Sequence, residues 1–64
     1  MTDDTILQRR KLLECYEEYA EYLTLRKDQK NEATLSESMG DVYASIHDWD
    51  NAITRYEYAE KNFH

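Results

Sequence analysis

The stretch ATLSESMGDVYASIHDWDNAITRYEYAEKNF, residues 33–63, decides the fold. From Ala33 to about Ile46 the apolar positions Leu35, Met39, Val42, Tyr43 and Ile46 recur at spacings of three and four, which lines them along one face of a helix. Trp49, Ala52, Ile53, Tyr56, Ala59 and Phe63 repeat the pattern in a second helix. Between the two, His47 and Asp48 predict a short turn, His47 in a left-handed conformation and Asp48 capping the second helix. Gly40 interrupts the first helix. A mid-helix glycine costs on the order of 1 kcal/mol relative to alanine, so its presence implies that another helix passes too close for a Cβ atom. Small residues at Gly40, Ala52 and Ala59 fall where helices must approach, and Met39, Tyr43, Trp49 and Tyr56 fall where the gap must be filled. The spacing describes two packed antiparallel helices.

Toward the N-terminus, residues 26–32 read RKDQKNE, the only wholly polar stretch of any length. Arg26 and Lys27 suit the negative end of a preceding helix, and Asn31 is the expected cap of the next. A turn is expected there, although it has no glycine or proline, and a continuous helix stays open as an alternative. Before it, a long helix to about Asp28 is expected, with Thr2 or Asp3 as cap and Asp3 and Asp4 at its positive end. At 100° per residue, Leu12, Leu13, Tyr16, Tyr19, Ala20 and Leu23 form one apolar face, widened by Cys15 and Tyr22 at one edge and Ile6 at the other. That breadth suggests two packing neighbours. The expected architecture is all-α, with three helices in a single domain: residues 1–31 as an N-terminal helix and turn, and residues 32–64 as an antiparallel hairpin.

Composition agrees. A chain of 64 residues has room for one small domain, and such a chain buries only about 60% of the surface its unfolded form exposes. No proline and a single glycine disfavour a strand-and-turn architecture. A formal net charge of −6 works against binding a nucleic-acid backbone, which depends on Lys and Arg displacing counterions. It fits a basic partner more easily. One cysteine, Cys15, forms no intrachain disulfide, which points to a reducing compartment. The N-terminal MTDDTILQRRKLL reads as neither signal peptide nor membrane span, so an intracellular location, cytoplasmic or nuclear, is expected.

Residues that could carry chemistry have plainer readings. Glu14, Glu17, Glu18 and Glu21 surround Arg10 on a solvated acidic face and lack the histidines a metal site usually adds. His47 is a turn residue and His64 a terminal one. Cys15 is expected to be a buried structural thiol. Tyr16, Tyr19 and Tyr22 have no basic groove beside them, so they read as core or interface residues and not as a platform for bases. There is no phosphate loop, serine-nucleophile motif or paired CxxC. No catalytic, cofactor or metal residues are expected, and the chain is not expected to be an enzyme.

The set Met39-Gly40, Tyr43, Trp49, Ala52, Tyr56 and Ala59 resembles the tetratricopeptide repeat, a 34-residue helix-turn-helix with W-x2-L-G-x2-Y and A-x3-F signatures and a late proline. The run DWDNAI at the start of the second helix is similar to the acidic-aromatic-acidic opening common in that family. Ser36 stands for the early tryptophan, Met39 for leucine, His47 for the turn glycine and His64 for the closing proline. The resemblance covers about half the chain. Cys15, Tyr19 and Tyr22 match only loosely, as a degenerate second helix of a preceding repeat or as part of a packing helix.

The resemblance implies a protein-protein interaction or scaffold module, with Thr34, Glu37, Asp41, Ala44 and Ser45 on the concave partner-binding surface. There Glu37 and Asp41 would repel a C-terminal carboxylate and favour a basic or neutral segment of protein or peptide. Because arrays generally need about three repeats, completion by self-association is expected, most simply as a homodimer through Tyr16, Tyr19, Leu23, Ile53, Tyr56 and Phe63. Exchange of the first helix between chains is one route. The alternative function is a small acidic regulator that masks a basic surface of a nucleic-acid-binding protein or enzyme.

Overall fold

The computed structural model describes residues 3–62, which form three helices: α1 (Asp3–Leu25), α2 (Gln29–Ser45) and α3 (Trp49–Asn62). Among these residues the fold is all-α. The expected cap at Thr2, and Phe63 and His64, lie outside them.

Both turns are built the same way, twenty residues apart. Lys27 and His47 take positive φ values of 57° and 62°. The amide of Asp28 donates to the Leu23 carbonyl and that of Lys27 to Thr24, while Asp48 donates to Tyr43 and His47 to Ala44. This paired closure of the last helical turn by a left-handed residue is the Schellman arrangement. The aspartate that completes it also starts the next helix, since the carbonyls of Asp28 and Asp48 accept from the amides of Glu32 and Ala52. The Asp28 side chain takes the Asn31 amide at 3.3 Å and the Asn31 side-chain nitrogen at 2.6 Å. Asp48 takes the Asn51 side-chain nitrogen at 2.8 Å.

The first turn therefore corrects the expectation in three respects. α1 ends at Leu25, α2 begins at Gln29, and Asp28 is the cap, with Asn31 as its hydrogen-bond donor. Asp28 wins because the left-handed Lys27 turns the chain immediately before it, which leaves Asn31 already inside the helix.

α2 is the central element. It packs along α3 and more sparsely along α1, whereas α1 and α3 make no Cα approach within 8 Å among the described residues. The core is a single seam on α2: Leu35, Met39 and Tyr43 meet Leu13 and Leu23 of α1 and Ala52 of α3, with Tyr16, Ala20, Val42 and Ile46 at its margins. Met39 is fully buried at its middle. At the α2–α3 contact Ala33, Gly40 and Ala59 are buried, and the Ser36 hydroxyl donates to the Arg55 carbonyl at 2.9 Å. At the α1–α2 contact the Tyr43 hydroxyl donates to Glu17 at 3.3 Å, and the Arg9 guanidinium reaches the Ser45 carbonyl at 3.4 Å, at the negative end of α2.

α1 was expected to serve two neighbours, and among the described residues only α2 approaches it closely. Leu13 and Leu23 are buried and Tyr16 and Ala20 partly so, while Leu12, Cys15, Tyr19 and Tyr22 are exposed. Leu23 is thereby spent on the internal core and is not free for self-association. Cys15 is not the buried thiol expected. Its position lies about 160° around the helix from Leu13, beyond the reach of α2.

Candidate functional site

The structure divides the residues expected to face a partner: Thr34, Glu37 and Asp41 are exposed, whereas Ala44 and Ser45 are half-buried, Ala44 packed against the core and the Ser45 carbonyl facing Arg9 of α1. Thr34 and Ser45 turn their hydroxyls onto the carbonyls of Lys30 and Val42. Asp41 is tied across to α3, where the Tyr56 hydroxyl donates to its Oδ1 at 2.5 Å. That hydrogen bond to a carboxylate, followed by partial burial and by the charges of Asp41 and Glu37, raises the Tyr56 pKa above its ordinary value.

The bond joins the acidic face of α2 to an apolar row on α3. Trp49, Ile53 and Tyr56 recur at spacings of four and three, and they are 56%, 53% and 38% exposed. Trp49 was expected inside the hairpin, and the structure moves it out. It is the first residue of α3, and its ring meets that of His47 edge to face, at 5.6 Å between centroids. Tyr56 keeps a packing role at the surface by laying its ring over Gly40. Met39, Gly40, Tyr43, Ala52 and Ala59 form the buried part of the hairpin.

Between α1 and α3, with α2 as floor, is an open cleft of about 170 Å³. Ala20 and Thr24 form one wall, Arg55 and Tyr58 the other, and Glu32, Ser36 and Met39 the floor. Two hydrogen bonds cross it between α2 and α3: the Tyr58 hydroxyl donates to Glu32 at 2.5 Å, and the Ser36 hydroxyl donates to the Arg55 carbonyl. The bond to Glu32, with some burial and the Glu32 charge, raises the Tyr58 pKa. Burial, with Glu17 next, does the same for Tyr43. Among the described residues no buried side-chain nitrogen or oxygen lacks a partner, and no three His, Cys, Asp or Glu side chains converge as a metal site would require. No helix among them is long and apolar enough to cross a membrane.

A second exposed row runs along α1. Leu12, Cys15, Tyr19 and Tyr22 recur at spacings of three, four and three, and all four are exposed. Tyr19 and Tyr22 stack at 6.1 Å, and the Arg26 guanidinium lies 5.5 Å from the Tyr22 ring centre and bonds its hydroxyl at 3.0 Å. In the sequence alone this row and the core-facing one merge into a single broad face. The signal that separates them is the offset of about 100° between the Leu13–Ala20 line and the Leu12–Tyr19 line.

Comparison with protein-family models, with curated proteins and with solved structures finds no match to this chain.

Proposed function

We propose that the chain is a helical protein-protein interaction module of tetratricopeptide-repeat type, one that binds and does not catalyse. The observation that carries the reading is the α3 row Trp49, Ile53 and Tyr56, exposed and bordered through the Tyr56–Asp41 bond by Glu37 and Asp41. An apolar strip with a carboxylate border fits a protein or peptide segment that is apolar along one side and basic along its edge. Contiguous apolar surface of this kind marks association sites. The spacing resemblance around Gly40 and the buried Met39, Tyr43, Ala52 and Ala59 support the same reading.

The test is retention of proteins from the source cell on immobilised chain, at low and high salt, beside an Ile53→Glu variant. Binding through the apolar row persists at raised salt and is lost in Ile53→Glu. If the same proteins are retained by Ile53→Glu, the row is not the site. Steep loss with salt alone, indifferent to Ile53, favours the second reading, a small acidic regulator that masks a basic surface, since exposed charges are screened within about 8 Å at physiological ionic strength. The exposed Glu37 and the glutamates of α1 are what such a regulator would use.

A further inference from the structure

We propose that the exposed row on α1 is a self-association seam, in which two copies of the chain pair their α1 helices antiparallel over nearly their whole length. The inference rests on the reading of the chain as an interaction module and names one partner for it, a second copy.

Position argues first. Leu12, Cys15, Tyr19 and Tyr22 follow the alternating three-four spacing of a coiled-coil seam, and Thr5, Gln8 and Arg26 continue it at either end. The seam is turned about 100° from the α1 face that meets α2. It also points away from the side on which Ala20 and Thr24 border the cleft toward α3. The protein also carries more surface than its size requires: 4865 Å² is accessible, against about 4300 Å² expected for a compact monomer of this mass.

Charge then chooses both the partner and the direction. Behind the first-turn Asp3 and Asp4, α1 carries a basic block, Arg9, Arg10 and Lys11, followed by an acidic one, Glu14, Glu17, Glu18 and Glu21. Two parallel copies would set like charges side by side. Two antiparallel copies set the basic block of each against the acidic block of the other, and their helix dipoles oppose. The register that overlaps almost all of Asp3–Leu25 is also the one that interlocks the seam. It places Leu12 against the partner's Cys15 and Gln8 against the partner's Tyr19. In that register Lys11 and Glu18, one heptad apart on the flank of the seam, each meet the opposite charge of the partner, twice per dimer. They are about 10 Å apart along one helix and do not pair within a chain.

The experiment is sedimentation equilibrium of the full chain at low ionic strength, with Lys11→Glu and Glu18→Lys each alone and mixed in equal amounts. Both side chains are exposed, and circular dichroism confirms that each variant stays helical. The parent self-associates, each variant alone dimerises about tenfold more weakly, and the mixture recovers to within about threefold of the parent because both cross-chain pairs reform. A parent that remains at 7.7 kDa at every concentration overturns the proposal, and so does a mixture no tighter than the better variant. Direction is read separately by Tyr22→Cys in a Cys15→Ser background. Antiparallel pairing holds the two introduced thiols roughly 25 Å apart along the axis, and disulfide-linked dimers would overturn it. None of these changes touches the α3 row, so retention of another protein by Trp49, Ile53 and Tyr56 survives if the seam fails.

Discussion

The ring of Tyr56 occupies the space that a β-carbon on Gly40 would take: such an atom would lie 2.6 Å from Cε1 and 2.7 Å from Cδ1. The close approach that the mid-helix glycine implies is thus made by a side chain of α3, one that is also bonded to Asp41. Gly40→Ala should destabilise by about 1 kcal/mol, because displacing the ring and its hydrogen bond outweighs the gain in helix propensity. In a Tyr56→Ala background the same change should stabilise by about 0.5 to 1 kcal/mol. Urea unfolding of the four proteins measures the cycle, and the absence of a sign change would refute the account.

Lys27 and His47 hold backbone conformations that side chains resist. Lys27→Gly and His47→Gly should each stabilise by about 1 kcal/mol, less for His47 because it also gives up its contact with Trp49. Asp28→Ala should cost about 1 kcal/mol, since it removes the side-chain acceptor of the first turn of α2. Thermal unfolding followed at 222 nm tests all three.

Tyr43, Tyr56 and Tyr58 all have folded-state pKa values raised above the ordinary 10.0. The folded chain therefore holds these phenolic protons more tightly than the unfolded chain. Their contribution to stability is complete below pH 10 and is lost as pH rises through the folded-state values. Tyr58→Phe should flatten that alkaline decline. At neutral pH it should cost about 1 kcal/mol, because it leaves the nearly buried Glu32 carboxylate without its donor. Urea midpoints between pH 7 and pH 11 give both quantities.

Cys15 is exposed on α1. A dilute solution of the native chain should react with a thiol reagent at a rate close to that of the urea-unfolded chain. Protection that persists after dilution to the point where the chain is monomeric would place the thiol inside a structure different from the one described.

The helices and the second turn were legible because periodicity and a left-handed His47 are local properties of the chain. The partition of α1 was not. Leu12 and Leu13, or Tyr22 and Leu23, are equally apolar neighbours in sequence, and which of each pair is buried depends on where α2 lies. The same holds for Trp49, whose size suggested a core residue while its place at the start of α3 leaves it nothing to fill. The Asp28 cap was missed for a different reason: a turn was expected within residues 26–32, but Lys27 carries no glycine-like signal to place its left-handed residue there. Of the candidate surface, Glu37 and Asp41 could be found by spacing, whereas the Tyr56 bridge that joins Asp41 to an apolar row is a contact between helices and leaves no mark on either one.

Among the described residues every close Cα approach between helices joins two that are consecutive in the chain, across turns only three residues long. Closing such short loops costs little entropy, and a topology made of sequence-adjacent packing folds fast. It also unravels in steps. α1, held by the sparser of the two contacts, can lift away while the α2–α3 hairpin stays closed, so the N-terminal third of the chain behaves as the latch of the domain and the hairpin as its frame.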